Sequence, residues 1–366
     1  MAAKGLQNVV IGTTNLSLVE GEKGQLVYRG YAIEHLARNA TFEEIAYLLW
    51  YGHKPSLEET KTLRHQMAQH RALPNAAQTI LRDLPRSTEP MDALRTGVSA
   101  IGAATPGTNI DIDHALALTA QVATVIATFH RLRQGLEPIP PRANLDHGSN
   151  YLYMMSGQEP TDAQRKMINA YLVLLADHGM NASTFTARVV TSTGSDLYSA
   201  VTAAVGALKG PLHGGAPSKV LDMLDAVGTP ENAEAWIRSA LARKERLMGF
   251  GHRVYKTTDP RAEILREIAR TYSDPNLFKL AQTVEDKGLE ILHETKPAQR
   301  LYTNVEFYSA AVMNAVGLPR DLFTATFAAS RTAGWTAHIL EQAADNRLIR
   351  PDVEYTGPMG LEWSKA

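Results

Sequence analysis

Apolar and polar positions alternate only near the N-terminus. Between residues 13 and 29, Leu16, Leu18, Leu26 and Tyr28 flank the polar run Glu20-Gly21-Glu22-Lys23-Gly24. That alternation predicts a short hairpin with a glycine-containing turn. Beyond it the period is helical almost throughout. Thr41-Phe42-Glu43-Glu44 precedes the apolar stripe Ile45, Ala46, Tyr47, Leu48 and Leu49. A threonine with a glutamate three residues on, just ahead of such a stripe, is a helix entry. Ser56-Leu57-Glu58-Glu59 and Thr161-Asp162-Ala163-Gln164 open in the same way. Breaks fall at Pro74, Pro106-Gly107, Pro138-Ile139-Pro140-Pro141, Gly228-Thr229-Pro230 and Gly317-Leu318-Pro319, where proline and glycine punctuate helices. No fixed-period repeat or low-complexity stretch stands out. The pattern predicts a mainly α protein with one small N-terminal β element. Residues 216–316 are richer in charge and lie between two apolar helical blocks, 160–208 and 320–343. They read as a small inserted domain, with residues 1–215 and 317–366 forming a large helical domain.

Composition narrows the function classes. The chain has 366 residues, 44% of them hydrophobic, enough for two or three domains. Its formal net charge is −1, against the basic excess of a nucleic-acid binder. There is no cysteine, which removes disulfides, thiolate nucleophiles and Cys-ligated metals together. The start, Met-Ala-Ala-Lys-Gly-Leu-Gln, lacks the pattern of a secretory signal. The longest apolar stretch, Ala115 to Phe129, is interrupted by Thr119, Gln121, Thr124 and Thr128, and reads as a buried helix rather than a membrane span. A cytoplasmic protein without membrane or nucleic-acid partners is expected. No Gly-x-Ser-x-Gly elbow, Walker A string or His-Glu-x-x-His occurs, and His65 and His70 are five apart, so no metal and no tightly bound cofactor is expected.

Two histidines occupy tight Gly/Pro turns. His213 lies in Gly210-Pro211-Leu212-His213-Gly214-Gly215-Ala216-Pro217. Pro217 suits a first helical position, where its missing N–H costs nothing. His213 would then precede a helix N-terminus, whose positive end disfavours imidazolium and keeps the ring neutral near pH 7. A neutral imidazole can donate to a carbonyl oxygen that is becoming an enol. Among glycines a lone histidine more often only caps a turn; the whole string carries the chemical reading. His252 lies in Met248-Gly249-Phe250-Gly251-His252-Arg253-Val254-Tyr255-Lys256. The glycines permit close approach of backbone to a ligand. A dinucleotide fingerprint fails, because Val254 stands at the third glycine position. Asp259-Pro260-Arg261 reads as a cap, a first turn and an arginine at a helix start. Asn304-Val305-Glu306-Phe307-Tyr308-Ser309 supplies a carboxylate. Two imidazoles and a carboxylate on specialised turns suit proton transfer at carbon. Arg331 lies on a strongly apolar helical stretch, where charge is costly unless paired. Arg350, in Leu348-Ile349-Arg350-Pro351, reads as a surface residue by itself. His178 and Asn181, in Asp177-His178-Gly179-Met180-Asn181-Ala182-Ser183-Thr184, read alone as core and turn residues.

In order, spacing and flanking residues these segments resemble the citrate synthase family. The resemblance runs over nearly the whole chain, including Tyr28-Arg29-Gly30-Tyr31, Tyr47 to Gly52 and Tyr355-Thr356-Gly357-Pro358. It implies a two-domain all-helical fold with the active site in the cleft and the same division at residues 216–316. It implies that Glu306 removes a methyl proton from acetyl-CoA while His213 bonds the thioester oxygen, and that His252 polarises the ketone of oxaloacetate. His178, Asn181, Arg261, Arg331 and Arg350 match the site for its carboxylates, which planar guanidinium forks suit better than lysine. The arginine matching Arg350 reaches across from a second subunit, which implies a homodimer. Met248, Gly249, Phe250, Gly251 and Lys256 match the region that holds coenzyme A, here a substrate. Glu306 departs from the pattern, since the family usually carries aspartate there. Three readings stay open: a base in an adjusted pocket, a base in a slower enzyme, or a degenerate site. Alternatives to citrate synthesis are 2-methylcitrate synthesis from propionyl-CoA, with Phe307, Tyr308 and Ala310 as candidates for pocket depth, and non-catalytic binding of coenzyme A or oxaloacetate.

Overall fold

A computed structural model describes residues 4–6, 9–107, 109–214 and 216–363 of the chain. The expected hairpin is present as β1 (Ser17–Glu20) and β2 (Gln25–Tyr28), paired antiparallel from Ser17 opposite Tyr28 to Glu20 opposite Gln25. A short β3 (Tyr31–Ala32), which the alternation did not show, pairs with β2. Leu16, Leu26 and Tyr28 are buried, but Leu18 points to solvent. The alternation slips by one residue between Leu16 and β1, and this turns Ser17 toward the protein interior, where it meets Asp177.

The helices are α1 (Ile33–Asn39), α2 (Phe42–Tyr51), α3 (Leu57–Gln69), α4 (Asn75–Asp83), α5 (Pro90–Ala104), α6 (Ile112–Arg133), α7 (His147–Ser156), α8 (Asp162–Leu175), α9 (Ala182–Ser192), α10 (Leu197–Lys209), α11 (Ala216–Val227), α12 (Ala233–Ala242), α13 (Pro260–Tyr272), α14 (Pro275–Thr295), α15 (Val305–Ala315) and α16 (Phe323–Ala344). The three entries anticipated at Thr41, Ser56 and Thr161 all form complete capping boxes. The cap hydroxyl accepts from the third helical N–H, and Glu44, Glu59 or Gln164 reaches back to the cap N–H. Each of the Pro/Gly breaks falls between helices.

Two long helices organise the larger part. α6 is long and apolar enough in composition to cross a membrane, yet it is mostly buried inside the helical body. α16 packs on α6, α9, α10, α2 and α8 and is buried from Ala325 to Ile339. Its polar residues find internal partners: Thr336 accepts from Trp50 Nε1 at 2.9 Å, and Ser330 donates to the Leu172 carbonyl at 2.6 Å. Helices α11 to α15 pack chiefly on one another, with α11 and α13 against α15 and α12 against α14. This group meets the rest where α13 and α15 touch α8, α13 touches α1 and α11 touches α16. The His178, His213, His252 and Glu306 segments all border that junction.

Candidate active site

The segment from Asp177 to Ser183 bridges α8 and α9. Tyr28 holds its backbone from below: its hydroxyl donates to the Asp177 carbonyl at 2.7 Å and accepts from the Asp177 N–H at 3.1 Å. Asp177 is fully buried, with Ser17, the Gly179 N–H and His338 around its carboxylate. Burial opposes its ionisation, but the charge and contact of His338, then Arg331 and Ser17, outweigh that and hold the carboxyl at about 2. His178 follows, buried, with Nε2 3.2 Å from the Tyr255 hydroxyl. Burial, then the charges of Arg261 and Arg331, push its basicity well below that of an ordinary histidine. Asn181 caps α9: its Oδ1 accepts from Thr184 N at 3.1 Å and its Nδ2 turns to the Gly179 carbonyl at 3.3 Å and Thr184 Oγ1 at 3.0 Å. Its side chain is committed to the turn, so what it offers the site is the shape of that turn.

His213 is held by the same helix start. The Ser183 N–H, in the first turn of α9, donates to its Nε2 at 3.3 Å, and the Ser183 hydroxyl lies 2.8 Å from that nitrogen. Trp335 Nε1 donates to the same hydroxyl at 3.0 Å. The sequence reading placed the ring against the helix that follows it. Instead the ring sits on α9, while α11 begins at Ala216 with Pro217 second. An N–H aimed at Nε2 leaves the ring proton on Nδ1. Burial, then the charge of Arg331, lowers the imidazole pKa to about 4.

His252 is fixed by its own loop. The N–H groups of Val254 and Tyr255 donate to Nδ1 at 3.0 and 3.1 Å, which leaves the proton on Nε2. Its ring centre lies 5.4 Å from that of His178 and 4.7 Å from that of Tyr255. Burial, then Arg261, lowers its pKa to about 4 against the opposing field of Asp259. Both imidazoles are therefore neutral hydrogen-bond donors near pH 7.

Met248 is half-buried and Phe250 is buried. Gly249 and Gly251 have φ of +80° and +84°. A β-carbon at Gly249 would lie 2.7 Å from Phe307 Cδ2, and one at Gly251 2.9 Å from Leu301 Cδ2. Glycine is needed here for the left-handed backbone and for close packing on the protein itself. Phe250 meets Phe307 edge to face at 5.3 Å between centres. The loop is tied to the start of α15 by Asn304 N to the Gly249 carbonyl and Asn304 Nδ2 to the Gly251 carbonyl, both at 2.9 Å. Lys256 is exposed.

Arg261 and Arg331 are both buried but differently partnered. Arg261 makes a two-pronged pair with Asp259, Nε to Oδ1 at 3.0 Å and Nη2 to Oδ2 at 2.8 Å. Burial works against its charge, but Asp259 and Tyr255 raise its basicity overall. Asp259 is more than the cap its sequence position predicts. It does accept from Arg261 N, but it also accepts from Val305 N at 3.1 Å, so one carboxylate joins α13 to α15. Arg331 donates Nε to the Leu175 carbonyl at 2.7 Å and lies over the Phe327 ring at 4.7 Å. No carboxylate pairs with it among the described residues. Burial lowers its pKa to about 10 against the attraction of Asp177. A buried guanidinium facing no anion is a site for one. Arg350 is elsewhere, exposed on the segment after α16 and 3.1 Å from Asp352.

Glu306 is the second residue of α15, with its N–H bonded to the Asn304 cap at 3.1 Å. Its carboxylate has no hydrogen-bond partner among the described residues. Burial raises its pKa to about 7; Arg261 opposes the shift and Asp259 adds to it. The candidates for pocket depth are interior residues: Phe307, Tyr308 and Ala310 are buried, and the Tyr308 hydroxyl donates to Glu285.

The residues that motif reading passed over are the supports: Ser183 under His213, Tyr255 beside His178, Tyr28 and His338 around Asp177. Ser183 and Tyr255 lie inside the quoted motifs, so their position was a signal, although their contacts were not. The whole arrangement offers two neutral N–H donors, a carboxyl group that ionises near neutrality and buried cations. It can remove a proton from carbon, stabilise the resulting enol and hold an anionic partner.

The family described as "Citrate synthase, C-terminal domain" matches residues 5–352. Citrate synthase 2 of Bacillus subtilis is 44% identical over 98% of this chain and 96% of its own length. A 2-methylcitrate synthase of Mycobacterium tuberculosis is 40% identical over 97% of this chain and 90% of its own. The solved citrate synthase of the archaeon Thermoplasma acidophilum, in ternary complex with carboxymethyl coenzyme A and oxaloacetate, superposes with a TM-score of 0.94 at 33% identity, over 100% of this chain and 98% of that one. With matches of this length and identity, the chain belongs to the citrate synthase family.

Proposed function

We propose that the protein condenses acetyl-CoA with oxaloacetate and water to give citrate and free coenzyme A. The observation that carries the reading is the buried Arg331, without a carboxylate partner among the described residues, together with two imidazoles kept neutral by burial and the Glu306 carboxyl raised by it. The Glu306 carboxylate takes a methyl proton from acetyl-CoA. His213, with its proton on Nδ1, donates to the thioester oxygen as the enol forms. The enol carbon attacks the ketone of oxaloacetate, whose oxygen is polarised and protonated by Nε2–H of His252. Water then cleaves the citryl thioester. His178, Arg261 and Arg331 meet the carboxylates of oxaloacetate, Arg331 most directly because no carboxylate pairs with it among the described residues. Asn181 shapes the turn around them, and Met248, Gly249, Phe250, Gly251 and Lys256 border the coenzyme A side. Residues 216–316 act as the small domain and close on residues 1–215 and 317–366, excluding water during bond formation. Gly214, whose carbonyl accepts from Thr324 at 2.9 Å, and Gly317-Leu318-Pro319, whose glycine has a φ of +86°, are hinge candidates; Gly215, the remaining one, lies outside the described residues. A homodimer in which Arg350 enters the partner's site is supported by the segment after α16, which exposes Val353, Tyr355, Met359, Leu361 and Trp363.

The relative named 2-methylcitrate synthase keeps propionyl-CoA as a second donor. One methylene changes selectivity by only about 1–3 kcal/mol in an apolar pocket. The deciding experiment measures release of free thiol with oxaloacetate and either acetyl-CoA or propionyl-CoA at equal concentration. Faster release from acetyl-CoA is expected. Faster release from propionyl-CoA reassigns the donor, and silence with both leaves a binding protein.

A further inference from the structure

The loop that carries His252 lands on the turn of the N-terminal hairpin. Lys256 N donates to the Gly21 carbonyl at 3.0 Å. A β-carbon at Gly21 would overlap the Val254 carbonyl group, and one at Gly24 would lie 2.8 Å from Thr257 Cγ2 and 2.9 Å from the Thr258 carbonyl oxygen. Glu22 and Arg300, 3.1 Å apart, add an exposed ion pair between the hairpin turn and the segment before α15. Gly24 has a φ of +63° and so has a backbone reason to be glycine, but Gly21 is not among the residues of positive φ. Nothing in its own conformation requires glycine. Only the approach of Val254 does.

The peptides seated on this turn are the ones that hold the catalytic ring. Val254 and Tyr255 supply both N–H groups to Nδ1 of His252, and the Tyr255 hydroxyl reaches His178. We infer that Gly21 is a positioning residue: the β1–β2 turn seats the 254–258 backbone and through it fixes the direction in which His252 presents its Nε2 proton. The inference rests on the role given to His252 above.

The test compares Gly21→Ala with Gly12→Ala, a control at which a β-carbon meets nothing within 4 Å. Two quantities are read: steady-state kinetics, and the titration of the His252 ring by NMR on histidine-labelled protein without substrates. Misplacing a reacting group by about 1 Å costs on the order of a hundredfold in rate. Gly21→Ala should therefore lower kcat by about ten- to a hundredfold, with little change in KM for the acyl-CoA. The His252 ring should titrate nearer to an ordinary histidine, and the melting temperature should fall, because the added carbon meets backbone rather than a flexible side chain. Gly12→Ala should match the parent throughout. An unchanged kcat and an unchanged His252 titration in Gly21→Ala would overturn the inference. If that variant does not fold, Thr257→Ser decides. It removes only the methyl seated over Gly24, should show a smaller loss of the same kind, and overturns the inference if both readouts stay put. If the parent itself releases no thiol, the proposed reaction fails, and the substrate-free titration still decides the positioning role.

Discussion

Glu306 sets the pH behaviour of the proposed chemistry. Its carboxyl must be ionised to accept a proton, and burial has moved that ionisation to about 7. The acid limb of kcat/KM should therefore rise through roughly pH 7, well above the ordinary carboxylate range near pH 4. Glu306→Gln should lower kcat by about 10²–10⁴-fold, leaving oxaloacetate binding measurable by calorimetry. Stability moves the other way. The native carboxyl keeps its proton between about 4.5 and 7 while the unfolded one has lost it, so stability falls as the pH rises through that window and the full cost is present above about 7. Glu306→Gln should thus unfold at higher denaturant than the parent at pH 8, by on the order of 2 kcal/mol, and show no such gain at pH 4. An acid limb near pH 4 in the parent would refute the assignment of Glu306 as a desolvated base. At this scale motif reading draws on local neighbours: His213 and His252 sit in loops with chemically specialised neighbours, and Glu306 follows the Asn304 cap at the start of α15. It could not reach the contacts of Ser183, Tyr255 and Asp259. Those groups become partners only when segments far apart in the chain are brought together, and no local spacing records that.

The start of α15 depends on the start of α13. Asp259 caps α13, pairs with Arg261 in two prongs and accepts from Val305 N, so one buried carboxylate aligns the helix that carries Glu306. Asp259→Ala leaves Arg261 charged and buried without a partner, which should cost about 3–5 kcal/mol in denaturant unfolding. It should also lower kcat, because the α15 N-terminus loses an acceptor. Asp259→Asn keeps an oxygen for Val305 N and should recover part of the rate while recovering less of the stability. Equal effects on both quantities from the two variants would separate Asp259 from any role at α15. By contrast the surface cap at Ser56, removed in Ser56→Ala, should cost only about 1 kcal/mol and leave kcat unchanged. Helix entries of this kind were fully legible, since a capping box is a local pattern with a local cause. The hairpin was legible as an element but not in its facing. Leu18 is exposed because the interior side of β1 carries Ser17 for Asp177, so a polar contact from another part of the chain overrides the apolar alternation.

The whole molecule should lose stability in mild acid, and its histidines give the reason. Burial holds His130, His213 and His252 at about 4 and His147 at about 3. Below about pH 6.5 the unfolded chain binds protons at these positions that the native chain refuses. Their contribution is fully present above pH 6.5 and is lost as the pH falls toward 4. Each one adds up to about 1.4 kcal/mol per pH unit to the slope inside that window. Glu306, and Glu43 raised by its burial, act with the opposite sign as the pH rises, so stability should peak near neutrality. His147 allows this to be tested away from the junction. It is buried, stacked on Phe42 at 5.0 Å, and neither ring nitrogen has a hydrogen-bond partner among the described residues. Replacing it with an apolar side chain therefore breaks no hydrogen bond. His147→Leu should leave stability at pH 7.5 near that of the parent, keep more of it at pH 5, and reduce the slope between them by about one proton. His252→Asn should flatten the same slope and also abolish activity. A parent protein equally stable at pH 5 and pH 7.5 would mean that these rings protonate without unfolding, and that the neutral imidazoles needed for the condensation are not enforced by burial.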